Sequence, residues 1–530
     1  MWRTLMACIA FCEVIMAAEL PKTAAETSNY LSTSRYADVM AFVGAIQRAD
    51  ADIRVETFAT TNEGRALPLV IVGPYTPQSA RASGKPVVFI MANIHAGEVE
   101  GKEAAQMLLR DLVSSHRKLR DDVIVLVAPI YNADGNERIS PEHRTTQHGP
   151  LHGVGVRENG QGLDLNRDYM KLESPEARGL IANVLNRWDP LLTVDLHTTN
   201  GSYHGYQLTY SPTLNPNADE DIVDFERGTL LPHIRAAMKE RHGKETYYYG
   251  NFVEQLQPEK GWYTFDSRPR FGNNYVGLRN RFTILSEAYS YIDFRARVEV
   301  THQFLHEILA GVDKYGAKMM KIAAKADERI ARGKLRKQGV RFKLEKWRDN
   351  VEILWEKSAA AEEGEGAPDP WTEKGAIVRS GEIVPMRMTD YGVFAPTERE
   401  EVPYAYLIDV AATHAVDILR THGISVETLD AETTLKVEQF AVKEETHAEH
   451  EFQKHHETTL TGKWKSREET FPAGTFLVRT DQPLARLAFY LLEPRSDDGL
   501  FNWNVLETVD GIVPVRKIEK AVAVQARVIP

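Results

Sequence analysis

The chain of 530 residues is longer than the roughly 100–200 residues of a typical domain, so its length predicts more than one domain. Its 43% hydrophobic and 26% charged residues are typical of globular proteins and exclude fibrous and wholly disordered classes. The net charge of -11, from 64 basic and 75 acidic residues, argues against a nucleic-acid partner, because binding to phosphate backbones depends on clustered Lys and Arg. The two cysteines, Cys8 and Cys12, can form neither a disulfide framework nor a cysteine-rich metal site.

The first eighteen residues, Met1–Ala18, have the pattern of a secretory signal peptide. Arg3 gives a positive start, an apolar run interrupted by Glu13 follows, and Ala17-Ala18 are small residues at its end. The pattern predicts a secreted or periplasmic protein, whereas the alternative is a buried N-terminal helix. No later segment approaches the roughly 18 apolar residues of a membrane span, so none is predicted.

Strand-like and helix-like segments alternate along residues 19–335. The strand-like segments are continuous apolar runs, typical of strands buried on both faces. They are Val87–Met91, Val123–Val127, Leu191–Val194 and Phe282–Leu285, and the clearest helical patterns are Glu100–Ser115 and Thr301–Arg332. This alternation predicts an α/β catalytic domain with a mixed, mostly parallel central sheet and helices on both faces.

A different pattern covers residues 336–530. An acidic segment rich in Gly and Pro, Ala359–Pro370, predicts an exposed loop. Short strand-like runs follow at Gly375–Val378, Val402–Leu407 and Thr475–Arg479, with one helix over Ala411–Gly423. We therefore expect a separate C-terminal accessory domain, mixed and rich in strands, and it contains no recognisable catalytic constellation.

Potential metal ligands follow two of the predicted buried strands. His95 and Glu98 form an H-x-x-E pair directly after the first strand, and His197 follows the third. In open parallel sheets, sites lie beyond the carboxyl ends of the strands, so these side chains are expected to converge. Two His and one Glu are the ligands of a catalytic zinc site. The pattern predicts one bound Zn²⁺.

Two further segments complete a recognisable order along the chain: Asp164-Leu165-Asn166-Arg167, and Glu287 at the end of the fourth strand. Together the four segments resemble the zinc carboxypeptidase family of carboxypeptidase A, over roughly Tyr36–Leu309. The resemblance implies that His95, Glu98 and His197 bind zinc. It also implies that Asp164 orients His95, that Asn166 and Arg167 bind the terminal carboxylate of the substrate, and that Glu287 is the general base.

Two roles implied by the resemblance have more than one candidate. The cation that faces the oxyanion is assigned to Arg157, nine residues before Asn166, and Arg144 is the alternative. The tyrosine that covers the substrate is assigned to Tyr275, with Tyr263 as the alternative. Neither tyrosine matches the spacing of the family cleanly.

Other histidines have less specific patterns. His302 and His306 lie four residues apart on a predicted helix, but Gln303 stands where an H-E-x-x-H metalloprotease has its Glu, so a purely structural helix is favoured. The sequence also has a loose cluster among acidic residues, for which a solvated polar stretch is favoured over a second metal site. Its members are His447, His450, His455 and His456.

The predicted function is zinc-dependent removal of C-terminal residues from peptides that have a free C-terminal carboxylate. The predicted partners therefore include a peptide but no nucleic acid, no membrane span is predicted, and the oligomeric state is left open. One alternative is a zinc deacylase of small acyl-amino acids, because the deacylase branch shares these segments. Another is a catalytically inactive peptide-binding protein, although the presence of Glu287 argues against it.

Overall fold

The computed structural model describes residues 20–199, 201–362, 367–368 and 376–529. The predicted signal peptide, Met1–Ala18, lies outside these residues, as do both cysteines and part of the predicted loop Ala359–Pro370. Within the described residues, no helix combines the length and apolar character needed to cross a membrane.

An eight-stranded mixed sheet forms the centre of the first half of the chain. Its strands are β1 (Ile53–Thr60), β2 (Ala66–Val72), β3 (Val87–Ala92), β4 (Ile124–Ala128), β5 (Leu192–Thr199), β6 (Leu208–Ser211), β7 (Thr246–Tyr248) and β10 (Phe282–Tyr289). The spatial order is β1-β2-β4-β3-β5-β10-β6-β7. The pairs β3–β4, β3–β5, β5–β10 and β6–β7 are parallel, and the pairs β1–β2, β2–β4 and β6–β10 are antiparallel.

Helices pack against this sheet. In chain order the α-helices of the described residues are α1 (Ala24–Thr27), α2 (Tyr36–Ala49), α3 (Pro77–Ser83), α4 (Glu100–Leu112), α5 (Ala133–Asn136), α6 (Pro175–Gly179), α7 (Asn186–Trp188), α8 (Glu220–Phe225), α9 (Leu231–His242), α10 (Gly272–Leu278), α11 (Phe294–Ala331), α12 (Thr413–Thr421) and α13 (Ala485–Leu492). Helix α4 packs on β3 and β5, and the long helix α11 packs on α4 and α9. Asp293 caps α11 by accepting a hydrogen bond from the N–H of Ala296, which is why this helix begins at Phe294, earlier than predicted.

The remaining strands lie outside the central sheet, and all but the first two belong to the C-terminal half. They are β8 (Asn251–Phe252), β9 (Trp262–Tyr263), β11 (Lys337–Glu345), β12 (Arg348–Ala360), β13 (Ala367–Pro368), β14 (Ala376–Tyr391), β15 (Val393–Glu401), β16 (Ala405–Ile408), β17 (Glu427–Leu429), β18 (Thr433–His447), β19 (Thr458–Phe471), β20 (Phe476–Arg479), β21 (Ile512–Ile518) and β22 (Ala526–Val528), with β8 and β9 supplied by the first half. A seven-stranded sheet has the order β19-β18-β21-β16-β20-β17-β22. The predicted α/β fold with a mixed sheet and a strand-rich C-terminal region is confirmed.

Strands from both halves meet in one sheet of order β12-β14-β9-β8. Asp390 and Tyr391 of β14 pair in parallel with Trp262 and Tyr263 of β9. The largest hydrophobic cluster also continues from the central sheet into the C-terminal half, where it includes Trp503. The two halves are therefore joined by backbone pairing as well as by side-chain packing, and the domain boundary at 335/336 stays a prediction.

Gly101 allows α4 to approach β5 closely, beside the predicted ligand His197. A Cβ on Gly101 would lie 2.6 Å from the Cβ of Leu196, which cannot move without its strand. We expect Gly101→Ala to lower the free energy of unfolding by about 1–3 kcal/mol, measured by urea denaturation. Gly228→Ala is the control, because a Cβ there meets nothing within 4 Å. Equal stability of the two variants would contradict this account of the contact.

Candidate metal centre and substrate cleft

The three predicted ligands converge at the carboxyl ends of β3 and β5. His95 and Glu98 lie in the turn between β3 and α4, which is closed by a hydrogen bond of 2.9 Å from the N–H of Glu98 to the carbonyl of His95. Oε1 of Glu98 lies 3.0 Å from Nδ1 of His95, and Oε2 lies 2.9 Å from Nδ1 of His197. All three side chains are buried. The two strands thus bring ligands that are distant in sequence to one point.

This donor set fits a zinc ion. Zinc accepts His nitrogens and carboxylate oxygens at about 2.0–2.2 Å, so two ligand atoms of a tetrahedral site lie about 3.3 Å apart. The contacts of 2.9 and 3.0 Å are close to that separation. Although burial opposes ionisation, His95 and Arg144 hold the pKa of Glu98 well below its usual range. Glu98 is therefore a carboxylate that can act as a ligand at neutral pH.

Each histidine has a carboxylate behind it. Nε2 of His95 donates to Oδ1 of Asp164 at 3.0 Å, and Nε2 of His197 lies 2.9 Å from Oδ2 of Asp195. Such carboxylates fix the ring orientation of metal-binding histidines and direct the other nitrogen to the metal. The resemblance implies this role for Asp164. Asp195 was not predicted, although its position two residues before His197 on the same strand face was a usable signal.

Glu287 lies beside His197 in the neighbouring strand. The two residues are register partners of the parallel pair β5–β10. Burial is the largest influence on this carboxyl group and, with the nearby Glu98, raises the pKa of Glu287 to about 8 against the opposing attraction of His197. A cation at the three ligands would lower that pKa, because it favours the charged form of the carboxyl group.

A cavity of about 250 Å³ opens over these groups. Its walls contain the three candidate ligands together with further polar and charged groups. The lining residues are His95, Glu98, Arg157, Asn166, Arg167, His197, Thr198, Thr199, Tyr249, Phe265, Asp266, Phe271, Leu285 and Glu287. Seven of the nine residues predicted for the site therefore line one cavity, and Asp164 lies directly behind His95.

The two candidate arginines occupy different places. Arg157 lines the cavity, and its Nε donates to Oδ2 of Asp164 at 2.8 Å. Arg144 is absent from the lining, and its Nη2 donates to Oε1 of Glu98 at 2.8 Å. Gly97 makes room for Arg144, because a Cβ on Gly97 would lie 2.6 Å from Nε of Arg144. Arg157 therefore faces the cavity, whereas Arg144 contacts Glu98 from outside it.

Asn166 and Arg167 are held in orientations that face the cavity. Oδ1 of Asn166 accepts a hydrogen bond of 2.9 Å from the N–H of Gly272, at the start of α10. The guanidinium of Arg167 lies 3.9 Å from the ring centroid of Phe271. Burial lowers the pKa of Arg167 to about 10, so the side chain stays charged at neutral pH. A fixed, charged guanidinium is suited to binding a carboxylate with two parallel hydrogen bonds.

Tyr275 does not reach the cavity, which corrects its assignment as a substrate-binding residue. It is fully buried on α10, and its hydroxyl lies 2.8 Å from Nδ1 of His422 and 3.3 Å from Nη1 of Arg279. Tyr263 is also absent from the lining, because it pairs with β14. The tyrosine that lines the cavity is Tyr249, which directly follows β7 and which the sequence analysis missed.

Known proteins are similar to this chain over much of its length. A family model described as zinc carboxypeptidase matches residues 39–268. The resemblance to zinc carboxypeptidases is therefore confirmed over these residues. The chain is a metallocarboxypeptidase. A relative named "Probable carboxypeptidase 2", from Arthroderma benhamiae, is 24% identical over 465 residues, which is 83% of this chain and 79% of the relative.

A second fungal relative and a solved bacterial structure are also similar to this chain. "Carboxypeptidase 2" of Trichophyton rubrum is 23% identical over 478 residues, 86% of this chain and 79% of that protein. The crystal structure of a metallo-carboxypeptidase from Burkholderia cenocepacia is 21% identical, with a TM-score of 0.40 over 52% of this chain and 68% of the other.

A segment of the C-terminal half contacts the rim of the cavity in this carboxypeptidase. We call residues 448–457, between β18 and β19, the rim segment. Within it, Oε1 of Gln453 accepts a hydrogen bond of 2.8 Å from the N–H of Asp164, and His455 Nε2 lies 2.7 Å from Oε1 of Glu173. His455, predicted to be part of a solvated stretch, therefore pairs with a residue of the catalytic half. The rim segment supports the backbone that carries Asn166 and Arg167.

Gln453→Ala is expected to raise KM for a peptide substrate about five-fold in this carboxypeptidase. One hydrogen bond contributes about 1 kcal/mol, and its loss loosens the turn that presents Asn166 and Arg167. Steady-state kinetics would measure the effect. His456→Ala is the control within the rim segment, because the ring of His456 hydrogen-bonds the carbonyl of Ala448 in the same segment. An unchanged KM in Gln453→Ala would show that the rim segment does not position Asn166 and Arg167.

Proposed function

We propose that this carboxypeptidase hydrolyses the C-terminal peptide bond of peptides with one Zn²⁺ bound by His95, Glu98 and His197. The observation that carries the proposal is the convergence of these three donors in one cavity with Glu287, Arg157 and Arg167. A zinc ion bound there supplies Lewis-acid polarisation of the scissile carbonyl and acidifies the attacking water.

Glu287 is proposed as the general base. It accepts a proton from the water that attacks the scissile carbonyl, and it then donates that proton to the leaving amine. Its position in β10, in register with His197, supports this role because it places the carboxylate beside the metal ligands. The base is thus fixed on a central strand rather than on a loop.

The arginines are proposed to act on the two charges of the reaction. Arg157, which lines the cavity, stabilises the negative charge that develops on the carbonyl oxygen. Arg167, with Asn166, binds the terminal carboxylate of the substrate and thereby limits cleavage to the chain end. The volume of about 250 Å³ is suited to the terminal part of a peptide rather than to a folded protein.

Export remains part of the proposal. We infer a secreted or periplasmic location from the signal-peptide pattern of Met1–Ala18. Mass spectrometry of the N-terminus of the protein produced by its natural host would test it. Cleavage after Ala18 is the expected result, and an intact N-terminus inside the cells would contradict it.

Peptides and acyl-amino acids distinguish the proposed activity from that of a deacylase. We expect the zinc-loaded protein to release C-terminal amino acids from peptides, to lose activity when the metal is removed by a chelator, and to regain it with Zn²⁺. Amidation of the peptide C-terminus should abolish cleavage, because Arg167 then has no carboxylate to bind. Activity on acyl-amino acids alone would contradict the proposal, and binding without turnover would indicate an inactive peptide-binding protein.

A further inference from the structure

Three histidines and one aspartate gather where the end of α4 meets α11, separate from the cavity. Asp111 lies in the last turn of α4, and His116 lies in the turn that follows. His302 and His306 lie one turn apart on α11. We call these four residues the His–Asp cluster. None of them lines the catalytic cavity.

The polar atoms of Asp111, His302 and His306 are close enough together to bind one ion. Oδ2 of Asp111 lies 2.8 Å from Nε2 of His302 and 2.9 Å from Nε2 of His306, and the two Nε2 atoms are 3.2 Å apart. The edge of a tetrahedral zinc site is about 3.3 Å for bonds of 2.0–2.1 Å. Each of these three separations is within half an ångström of that edge.

His116 lies beside Asp111 and His306. Its ring centroid lies 4.3 Å from that of His306, and its ligand atom lies within 4.8 Å of those of Asp111 and His306. His116 is exposed and belongs to a turn, so a small rotation of its side chain can complete the site. Three His and one Asp are donors that divalent transition metals such as zinc prefer.

Protons alone satisfy this arrangement poorly. A hydrogen bond from both His302 and His306 to Asp111 requires a hydrogen on each Nε2, which places two N–H groups against one oxygen with the nitrogens 3.2 Å apart. A cation removes the conflict, because both Nε2 atoms then act as lone-pair donors to it.

Charge and access also favour a cation. Burial opposes ionisation of Asp111, but His302 and His306 hold its pKa well below the usual range, so it is a carboxylate at neutral pH. The side chains of Asp111, His302 and His306 are 19%, 18% and 16% exposed. An ion can therefore reach the cluster from solvent without unfolding of either helix.

We propose that the His–Asp cluster is a second, structural metal site that binds a zinc-class dication through Asp111, His302 and His306, with His116 as the fourth ligand. A site with four protein ligands has no open position for substrate, and Gln303 supplies no general base. The ion fastens α4 to α11 near the C-terminal end of α4. Since a helix rises about 1.5 Å per residue, this point is about 17 Å from the N-terminal end of α4, near which Glu98 lies. Its effect is therefore on stability rather than on catalysis.

Metal counting on variants of the full chain tests the proposal. In His95→Ala, which lacks a ligand of the catalytic centre, we expect the chelator-treated protein to bind one equivalent of Zn²⁺ and to gain thermal stability from it. Co²⁺ should give the visible absorption of a tetrahedral site. Combining His95→Ala with His302→Ala and His306→Ala should abolish all three signals.

Two further variants keep the result interpretable. Asp111→Asn preserves shape and hydrogen bonding but removes the charge, and it should weaken Zn²⁺ binding in the His95→Ala background by at least ten-fold. His414→Ala, at an exposed position of α12, should have no effect. If His95→Ala binds no Zn²⁺ or Co²⁺, or binds them equally well without His302 and His306, the second site is wrong. Metal binding, thermal stability and Co²⁺ absorption do not depend on turnover, so they test the second site whether or not the proposed peptidase activity is correct.

Discussion

Glu287→Gln is expected to lower kcat by about 10²–10⁴-fold while the protein still binds one Zn²⁺ at the catalytic centre, because general acid–base catalysis contributes that much and Glu287 is not a ligand. Gln has the shape of Glu but cannot accept the proton of the attacking water. Activity assays together with metal analysis of the same sample would measure both effects. His95→Ala should instead lose the metal and the activity together.

Glu226→Gln is the matched control for this experiment. Glu226 is buried and contacts the same strand, since its Oε1 accepts a hydrogen bond of 2.9 Å from the N–H of Thr283 in β10. Burial raises the pKa of Glu226 to about 8, so the group is mostly neutral at pH 7 and Gln is a close mimic. Turnover should stay near that of the wild type. Full activity of Glu287→Gln would mean that another group is the base.

Arg157→Gln is expected to lower kcat by about 10²–10³-fold with little change in KM, because loss of one oxyanion donor has an effect of that size and acts mainly on the transition state. Steady-state kinetics at saturating Zn²⁺ would measure it. The prediction depends on the position of Arg157 in the cavity wall.

Arg144→Gln is the matched comparison and should behave differently. Arg144 hydrogen-bonds Glu98 from outside the cavity, so its loss should weaken zinc affinity by about 10–100-fold, as for other partners of metal ligands. Excess Zn²⁺ should then restore kcat. If excess zinc restores Arg157→Gln but not Arg144→Gln, the two roles have been exchanged.

The central sheet could be predicted because its strands are continuous apolar runs. The runs at Val87–Met91 and Phe282–Leu285 became β3 and β10, and the residues after β3 and in β10 provide His95, Glu98 and Glu287. Parallel strands end at the same edge, so the approximate position of the site followed from the strand order. The family resemblance added roles, which no spacing rule provides.

The long C-terminal strands could not be predicted in the same way. Strand β18 (Thr433–His447) pairs with β19 (Thr458–Phe471), and both contain many charged residues on faces exposed to solvent. Because charged residues separate their short apolar stretches, these segments have the local sequence pattern of a loop. The error at Tyr275 has a similar origin, because its partner His422 is far away in sequence and only the folded chain brings it near.

The sheet of order β12-β14-β9-β8 has a consequence for biosynthesis. The N–H of Thr264 donates to the carbonyl of Tyr391, which fixes the segment before Phe265 and Asp266, two residues of the cavity wall. During translation that wall cannot form until Tyr391 has left the ribosome, and the rim segment must follow. We therefore expect a nascent chain that ends at residue 335 to lack a complete cleft, so that peptidase activity first arises late in synthesis.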